Sequence, residues 1–367
     1  MGMRWVRSDT AKIILAVFLI FALLEQIVRI FDLRSRLSAA PAAVSEANYS
    51  LRDIHGEDWQ DYIVVGREQT TSAIYSPFIE YISGPIDGAF VTVTDAGLRC
   101  HDAAKTACSI SGGAGEVWVF GGSTTFGYGV KNNETIPAYL NQMLPAYNVL
   151  NFGVASYYST IERIAFLNLL THFDPPAAVV FIDGLNDFYY HRIPDESMVS
   201  DELRNTFELP DAARTLSKLN TLAQKSELIS LIFDMAGDKA DKTPILLRSD
   251  EALGRIIERL ERNIAMRTAV ANGFGTRIVN VLQPVPLYGP GHATSYVPAE
   301  FLHFKDHVNS GRGYELIQER PTLLSNPTVL NLAELGATGQ MYVDTVHYHP
   351  EFNRLIAERI FQKLQLD

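Results

Sequence analysis

The sequence predicts an α/β protein: a three-layer parallel sheet with helices on both faces, preceded by one N-terminal transmembrane helix. Three observations predict it. Short, continuously apolar runs at 117–120 and 177–182 read as strands buried on both faces. From residue 117 onward such runs alternate with helical patterns, which implies crossover connections and a parallel sheet. A separate apolar stretch near the N-terminus is long enough to cross a bilayer.

Residues 13–24 are uninterruptedly apolar, and the helical pattern continues to Phe31, roughly 28 Å at about 1.5 Å per residue. Glu25 and Arg29, four apart, share a face at its outer end. Arg4, Arg7 and Lys12 precede the span and favour a cytoplasmic N-terminus, while Arg29, Arg34 and Arg36 follow it. The reading adopted is an uncleaved signal anchor within residues 1–37. A signal peptide cleaved near Ala40-Pro-Ala42 is the alternative, and a buried core helix suits a shorter stretch better. Residues 38–62, Ala- and Pro-rich at their start, are expected to form a linker. The remainder, 63–367, is expected to be one domain whose first part, 63–115, rich in Thr, Val, Tyr and Gly, supplies an edge layer of short strands and turns.

Glu116-Val-Trp-Val-Phe120 then reads as a buried strand, and Gly121-Gly122 let the chain turn sharply and deliver Ser123 to its end. Thr135 is an N-cap, with Pro137 in the first turn and Ile136, Tyr139, Leu140 and Met143 as an apolar stripe. Residues 149–153 form the next strand. Ser159 and Glu162 are spaced as a capping box, Asp174-Pro-Pro176 stops that helix, and 177–182 is a strand. Residues 188–248 break the rhythm and are expected to be a helical insertion capping the sheet. A long amphipathic helix at 250–271, a strand at 276–282, and a helix from Pro350 with Leu355, Ile356, Ile360, Phe361 and Leu364 inward complete the pattern.

Forty-seven per cent hydrophobic and 20 per cent charged residues suit a globular body. A net charge of -11 without a Lys/Arg stripe argues against nucleic acid as a partner. Cys100 and Cys108 are the only cysteines. In an exported domain they would close a small disulfide loop, in a cytosolic one they would be unrelated thiols, and the apolar N-terminal segment favours the disulfide.

Ser123, Gly153 and the loop Asp183-Gly-Leu-Asn186-Asp187 each follow the carboxyl end of a strand, where parallel sheets bind ligands. Asp344-Thr-Val-His347 precedes the last helix, and its spacing lets one loop supply an imidazole and a carboxylate. Blander readings stand beside each. The segment 121–127 is a poor phosphate cradle because no Gly-Lys-Ser/Thr follows, and Thr125 stands where a Gly-x-Ser-x-Gly elbow has its second glycine. Asp344, His347 and His349 could ligate a metal, but His-x-His is a weak pattern and Pro350 fits a helix start. Asn186 could be a turn residue, Gly153 a packing residue, and Asp183 and Asp187 partners for their own loop's backbone.

Taken together, Gly121-Gly-Ser123-Thr-Thr-Phe-Gly127, Asn151-Phe-Gly153-Val-Ala-Ser156, Gly184-Leu-Asn186-Asp187 and Asp344-x-x-His347 resemble, in order, the four blocks of the SGNH (GDSL-like) hydrolase superfamily. The likeness runs from 117 to about 365. It implies a flavodoxin-like sheet and a catalytic set of Ser123, His347 and Asp344. The oxyanion hole it implies is built from the Ser123 and Gly153 N–H groups and the Asn186 side chain, with no cofactor and no metal. Two departures stand out: Gly122 replaces the motif's Asp, and Phe352 sits where many relatives have Gly.

The implied function is a serine hydrolase, an esterase acting on ester-linked acyl groups of cell-envelope glycans or lipids through an acyl-serine. An O-acyltransferase using the same triad, or a non-catalytic envelope assembly protein, are the alternatives. The expected partners are that acyl ester and the membrane, with the catalytic domain on the periplasmic or extracellular side of the cell's inner membrane.

Overall fold

A computed structural model describes residues 51–69, 73–189, 247–289, 307–337 and 340–366. The expected transmembrane segment and nearly all of the 188–248 insertion lie outside the described residues. Among those described, no helix is long and apolar enough to cross a membrane.

The first finding corrects the expected linker and edge layer. Residues 51–55 are helical, and α1 (Trp59–Glu68) occupies the end of one and the start of the other. The Ile63-Val64-Val65 run has the β-branched composition of a strand, but tertiary contacts override it. Tyr62 and Val65, three apart on one helical face, pack with Val91. The Glu68 carboxylate accepts the N–H groups of Ala89, Phe90 and Val91, each at 2.9 Å.

Strands do follow. β1 (Ala73–Ser76) and β2 (Glu80–Ser83) form an antiparallel hairpin, and β3 (Ile86–Asp87) pairs with β4 (Thr92–Val93). Arg99 then bridges Val93 on one side and Asn151 on the other, so this strap runs along the edge of the main sheet. The Arg99 side chain is buried, donates to the Val130 carbonyl at 3.0 Å and lies over the Phe126 ring. Cys100 and Cys108 form the expected disulfide.

The main sheet has five parallel strands: β5 (Glu116–Gly121), β6 (Asn148–Gly153), β7 (Ala178–Asp183), β8 (Arg277–Leu282) and β9 (Val329–Asn331), in the spatial order β6-β5-β7-β8-β9. Renumbered within the sheet this is 2-1-3-4-5, the flavodoxin-like order. Every residue of β5 and β7 is buried, which explains their apolar composition apart from Glu116 and Asp183 at the ends. Alternation divides them between two cores. Val117, Val119, Val180 and Ile182 pack beneath α3 (Ile136–Met143) and the C-terminal helix, while Trp118, Phe120, Val179 and Phe181 face α4 (Ser159–Leu169) and α5 (Asp250–Gly273).

Thr135 caps α3 as expected, its hydroxyl accepting the Ala138 N–H. Ser159 and Glu162 do not form a capping box: both are buried against the sheet's polar end, and α4 has no side-chain cap. Neither α6 (Asn309–Gln318), α7 (Pro321–Leu324) nor β9 was expected from the sequence. α8 (Pro350–Leu364) starts at its proline, with Phe361 half exposed and not inward.

Candidate active site

β5 ends at Gly121, and the four-residue helix α2 (Ser123–Phe126) begins at once, with Gly122 as N-cap and Gly127 closing it in the left-handed region at φ 87°. Ser123 is therefore the first helical residue above the sheet's carboxyl edge. Gly121 has no room for a side chain, since a Cβ there would collide with Thr125 Oγ1. Gly122 is equally constrained, because a Cβ would strike Asn186 Nδ2. In this chain the Asn186 amide occupies the space that a side chain at 122 would take.

Asp344 and His347 arrive from the loop before α8. Tyr342 and Tyr348 bridge, Val343 N–H donates to the His347 carbonyl at 2.8 Å and His349 N–H to the Met341 carbonyl at 2.9 Å, folding 341–349 into a tight turn. Buried Tyr342, Tyr348 and Phe352 hold its base. Phe352 is fully buried and serves as core.

At the tip, His347 Nε2 lies 2.8 Å from Ser123 Oγ and Nδ1 lies 2.6 Å from Asp344 Oδ2. Asp344 Oδ1 accepts the N–H groups of Val346 and His347 at 2.9 and 2.8 Å. Burial alone would raise the Asp344 pKa, but the His347 imidazole and these N–H donors outweigh it and hold the carboxyl down at about 2. A charged carboxylate on Nδ1 favours the tautomer with Nδ1–H, which leaves Nε2 as the acceptor for the Ser123 hydroxyl proton. The Tyr128 ring backs the imidazole at 4.8 Å. Tyr128 is itself framed by Gln69, which donates to the Gly127 carbonyl at 2.9 Å and accepts the Gly129 N–H at 2.7 Å. His349 turns away from this group: its ring contacts the Ile54 carbonyl and caps α8 through the Glu351 N–H.

The three expected oxyanion donors fare differently. Ser123 N–H, at the first position of α2, meets no acceptor among the described residues. Asn186 directs Nδ2 to the Tyr157 carbonyl at 2.8 Å, which fixes the amide beside Gly122 and leaves its second hydrogen for another acceptor. Gly153 is corrected: its N–H donates to Asn151 Oδ1 at 2.9 Å, and its lack of a side chain serves close approach to the Phe126 backbone. Three residues on, Ser156 stands at φ 62°, half-buried, with an N–H that meets no acceptor among the described residues. A glycine there would have marked the left-handed turn in the sequence, whereas serine left no sign of it.

Behind Asn186 lies a buried polar layer. Ser159 Oγ donates to Asp187 Oδ1 at 2.6 Å and Asn263 Nδ2 donates to Ser159 Oγ at 2.9 Å, so Asp187 does not serve its own loop's backbone. Arg267 pairs with Asp183 and donates to Asn280 Oδ1 at 2.6 Å. Burial, then the neighbouring Asp183, raises Glu162 well above its ordinary value, and the same two causes raise Asp187. Farther along the rim, burial and the nearby His347 lower His307 to about 4, so it stands as a neutral imidazole against the Tyr189 ring.

No protein-family model and no curated protein matches this sequence. Solved structures give likenesses. A protein of the G-D-S-L family from Desulfitobacterium hafniense DCB-2 is 15% identical at a TM-score of 0.36, over 68% of this chain and 99% of that one. Est24, a carbohydrate acetylesterase from Sinorhizobium meliloti, is 13% identical at 0.37, over 68% and 97%. The psychrotrophic esterase EstA from Pseudoalteromonas sp. is 12% identical at 0.34, over 68% and 97%. At this level the likenesses carry no weight for the chemistry, which rests on the side chains described above.

Proposed function

We propose that the chain is a serine esterase that removes acyl groups through an acyl-Ser123 intermediate. The single observation carrying this is the continuous hydrogen-bonded line Ser123 Oγ, His347, Asp344, drawn from segments 224 residues apart. Ser123 Oγ attacks the ester carbonyl as its proton passes to His347 Nε2. The carbonyl oxygen becomes an oxyanion facing the Ser123 N–H and the Asn186 amide, where each donor is worth about 3 kcal/mol of transition-state stabilisation. Collapse breaks the bond to the alkoxy group, which leaves with the proton from Nε2. Water then repeats the sequence, giving a carboxylic acid and free Ser123.

A sugar or lipid hydroxyl in place of that water would make the protein an O-acyltransferase with an unchanged first half-reaction. The Cys100–Cys108 disulfide supports an exported body. The apolar segment at 13–31 supports a single-pass anchor, with the body on the periplasmic or extracellular side and an envelope glycan or lipid ester as substrate.

Full-length protein in detergent, given a short-chain nitrophenyl ester and a serine-directed phosphonate, tests this. Ser123→Ala should abolish labelling, and Ser123→Ala or His347→Ala should lower turnover by about 10⁴-fold. Turnover that survives both changes would remove the triad, and a wild-type chain with neither turnover nor labelling would favour a non-catalytic role. Added sugar acceptors that capture the acyl group in preference to water would identify transfer. Retention of the chain in the membrane pellet after a carbonate wash tests the anchor.

A further inference from the structure

Three of the seven large apolar side chains exposed among the described residues, Ile74, Tyr75 and Phe78 at 41, 64 and 83%, fall within five residues on the β1–β2 hairpin. Ile74 and Tyr75 are successive strand residues on opposite faces of the hairpin, so with Phe78 at the turn they surround its tip, where apolar exposure marks a contact. Phe78 moreover sits at φ 70°, a backbone region that bulky residues avoid. The hairpin is tied to the site. Tyr157 Oη donates to the carbonyls of Ile79 and Tyr81, and Tyr81 Oη donates to the Ala155 carbonyl at 2.9 Å. Ala155 and Tyr157 flank Ser156, and the Tyr157 carbonyl holds Asn186.

We propose that this hairpin seats the body on a bilayer surface, with Ile74, Tyr75 and Phe78 in the interfacial zone, so that Ser123 meets an acyl ester carried by the membrane. The inference rests on the esterase and anchor readings above and adds the substrate's physical state. Residues 32–50, nineteen in all, separate the apolar segment from the first described residue and reach about 65 Å at most, so an anchored body stays close to the bilayer. Tyr and Phe are suited to headgroup depth. The stretch 73–83 holds no Lys or Arg and one Glu, and the chain carries a net charge of -11, so the surface it fits is zwitterionic and not anionic.

Both cysteines are paired, so Phe78→Cys in the full chain takes a single environment-sensitive fluorophore. Phe274→Cys is the control. Phe274 is 56% exposed and lies between the end of α5 and the start of β8, at the opposite strand end of the sheet from Ser123. In phosphatidylcholine vesicles the label at 78 should shift to the blue and be quenched roughly twofold by brominated acyl chains, and the label at 274 should do neither. Doubly substituted Tyr75→Ser/Phe78→Ser protein should turn over a vesicle-borne ester about tenfold more slowly while a soluble short ester is unaffected.

A chain that floats with the vesicles while the label at 78 stays aqueous overturns this proposal alone. A chain that does not float overturns the anchor with it, and a floating chain with no phosphonate labelling at Ser123 overturns the esterase reading while the lipid contact is still read at 78. A blue shift without vesicles that grows with protein concentration assigns the face to a second copy of the chain. Equal losses on both esters assign the hairpin to support of the 155–157 loop. Either result overturns the bilayer contact.

Discussion

Carboxyls on two sides of one rim are driven in opposite directions, Asp344 downward and Glu162 and Asp187 upward. Asp344 accepts N–H bonds from Val346, from His347 and from the His347 ring, and is held at about 2. Glu162, Asp183 and Asp187 are fully buried around one fully buried cation, Arg267, with Arg259 4.0 Å from Asp187. Three carboxyls beside so little positive charge resist ionising together, and burial, with Asp183 alongside, raises Glu162 well above its ordinary value. The lesson is that the supply of donors, more than depth, sets whether a carboxyl serves as a charge or as a neutral strut.

The comparison can be broken at several points. Asp344→Asn should lower kcat about 10²–10⁴-fold while circular dichroism stays unchanged, because the amide reverses the tautomer preference of His347. Full activity in this variant would mean the carboxylate is not needed as a charge. Arg267→Met removes the only fully buried cation beside the acids and should cost about 3–5 kcal/mol in urea denaturation, with kcat of the folded fraction little altered. Gly122→Ala probes the residue between the two groups. By pushing the Asn186 amide aside it should lower kcat about 10–100-fold with KM nearly constant, whereas a change in KM alone would refute Asn186 as a transition-state donor.

Smallest at neutral pH is Glu162→Gln. An amide takes up no proton on folding, so stability at neutral pH should be kept or raised. A large loss would show that Glu162 is charged. The pH dependences should also run in opposite senses. The raised Glu162 contributes stability that is complete below its ordinary value of 4.5 and is lost as pH climbs through the folded value, so Glu162→Gln should flatten the alkaline fall. The lowered Asp344 contributes stability that is present above 3.8 and is lost as pH drops through about 2, so Asp344→Asn should flatten the acid fall. Urea midpoints measured across pH read both.

Much of this was legible in the sequence because period and punctuation reported it. The runs of β5 and β7, the Gly121-Gly122 turn, the Thr135 cap and the Pro350 start each have a local cause. So does the three-residue spacing that lets Asp344 and His347 share one turn. What escaped depended on distant partners. The β-branched run at 63–65 became helical because Tyr62 and Val65 pack on Val91. Ser159 and Glu162 matched a capping box, yet Ser159 bonds Asp187 across the sheet's end and Glu162 is buried there. Gly153 looked like a donor but is a point of close packing, and Ser156 adopts its positive φ without the glycine that would have announced it.

The strap beside β6 has a wider consequence. An outer strand with unsatisfied amides invites other chains to add to it. Here Arg99 N–H fills the Asn151 carbonyl, and the cystine closes its ring at the very next residue, Cys100. Because the same arginine reaches beneath Phe126, the disulfide loop is joined through it to the short helix that carries Ser123. The footing of Ser123 and the cover over the β6 edge thus hang on one strap that the cystine closes.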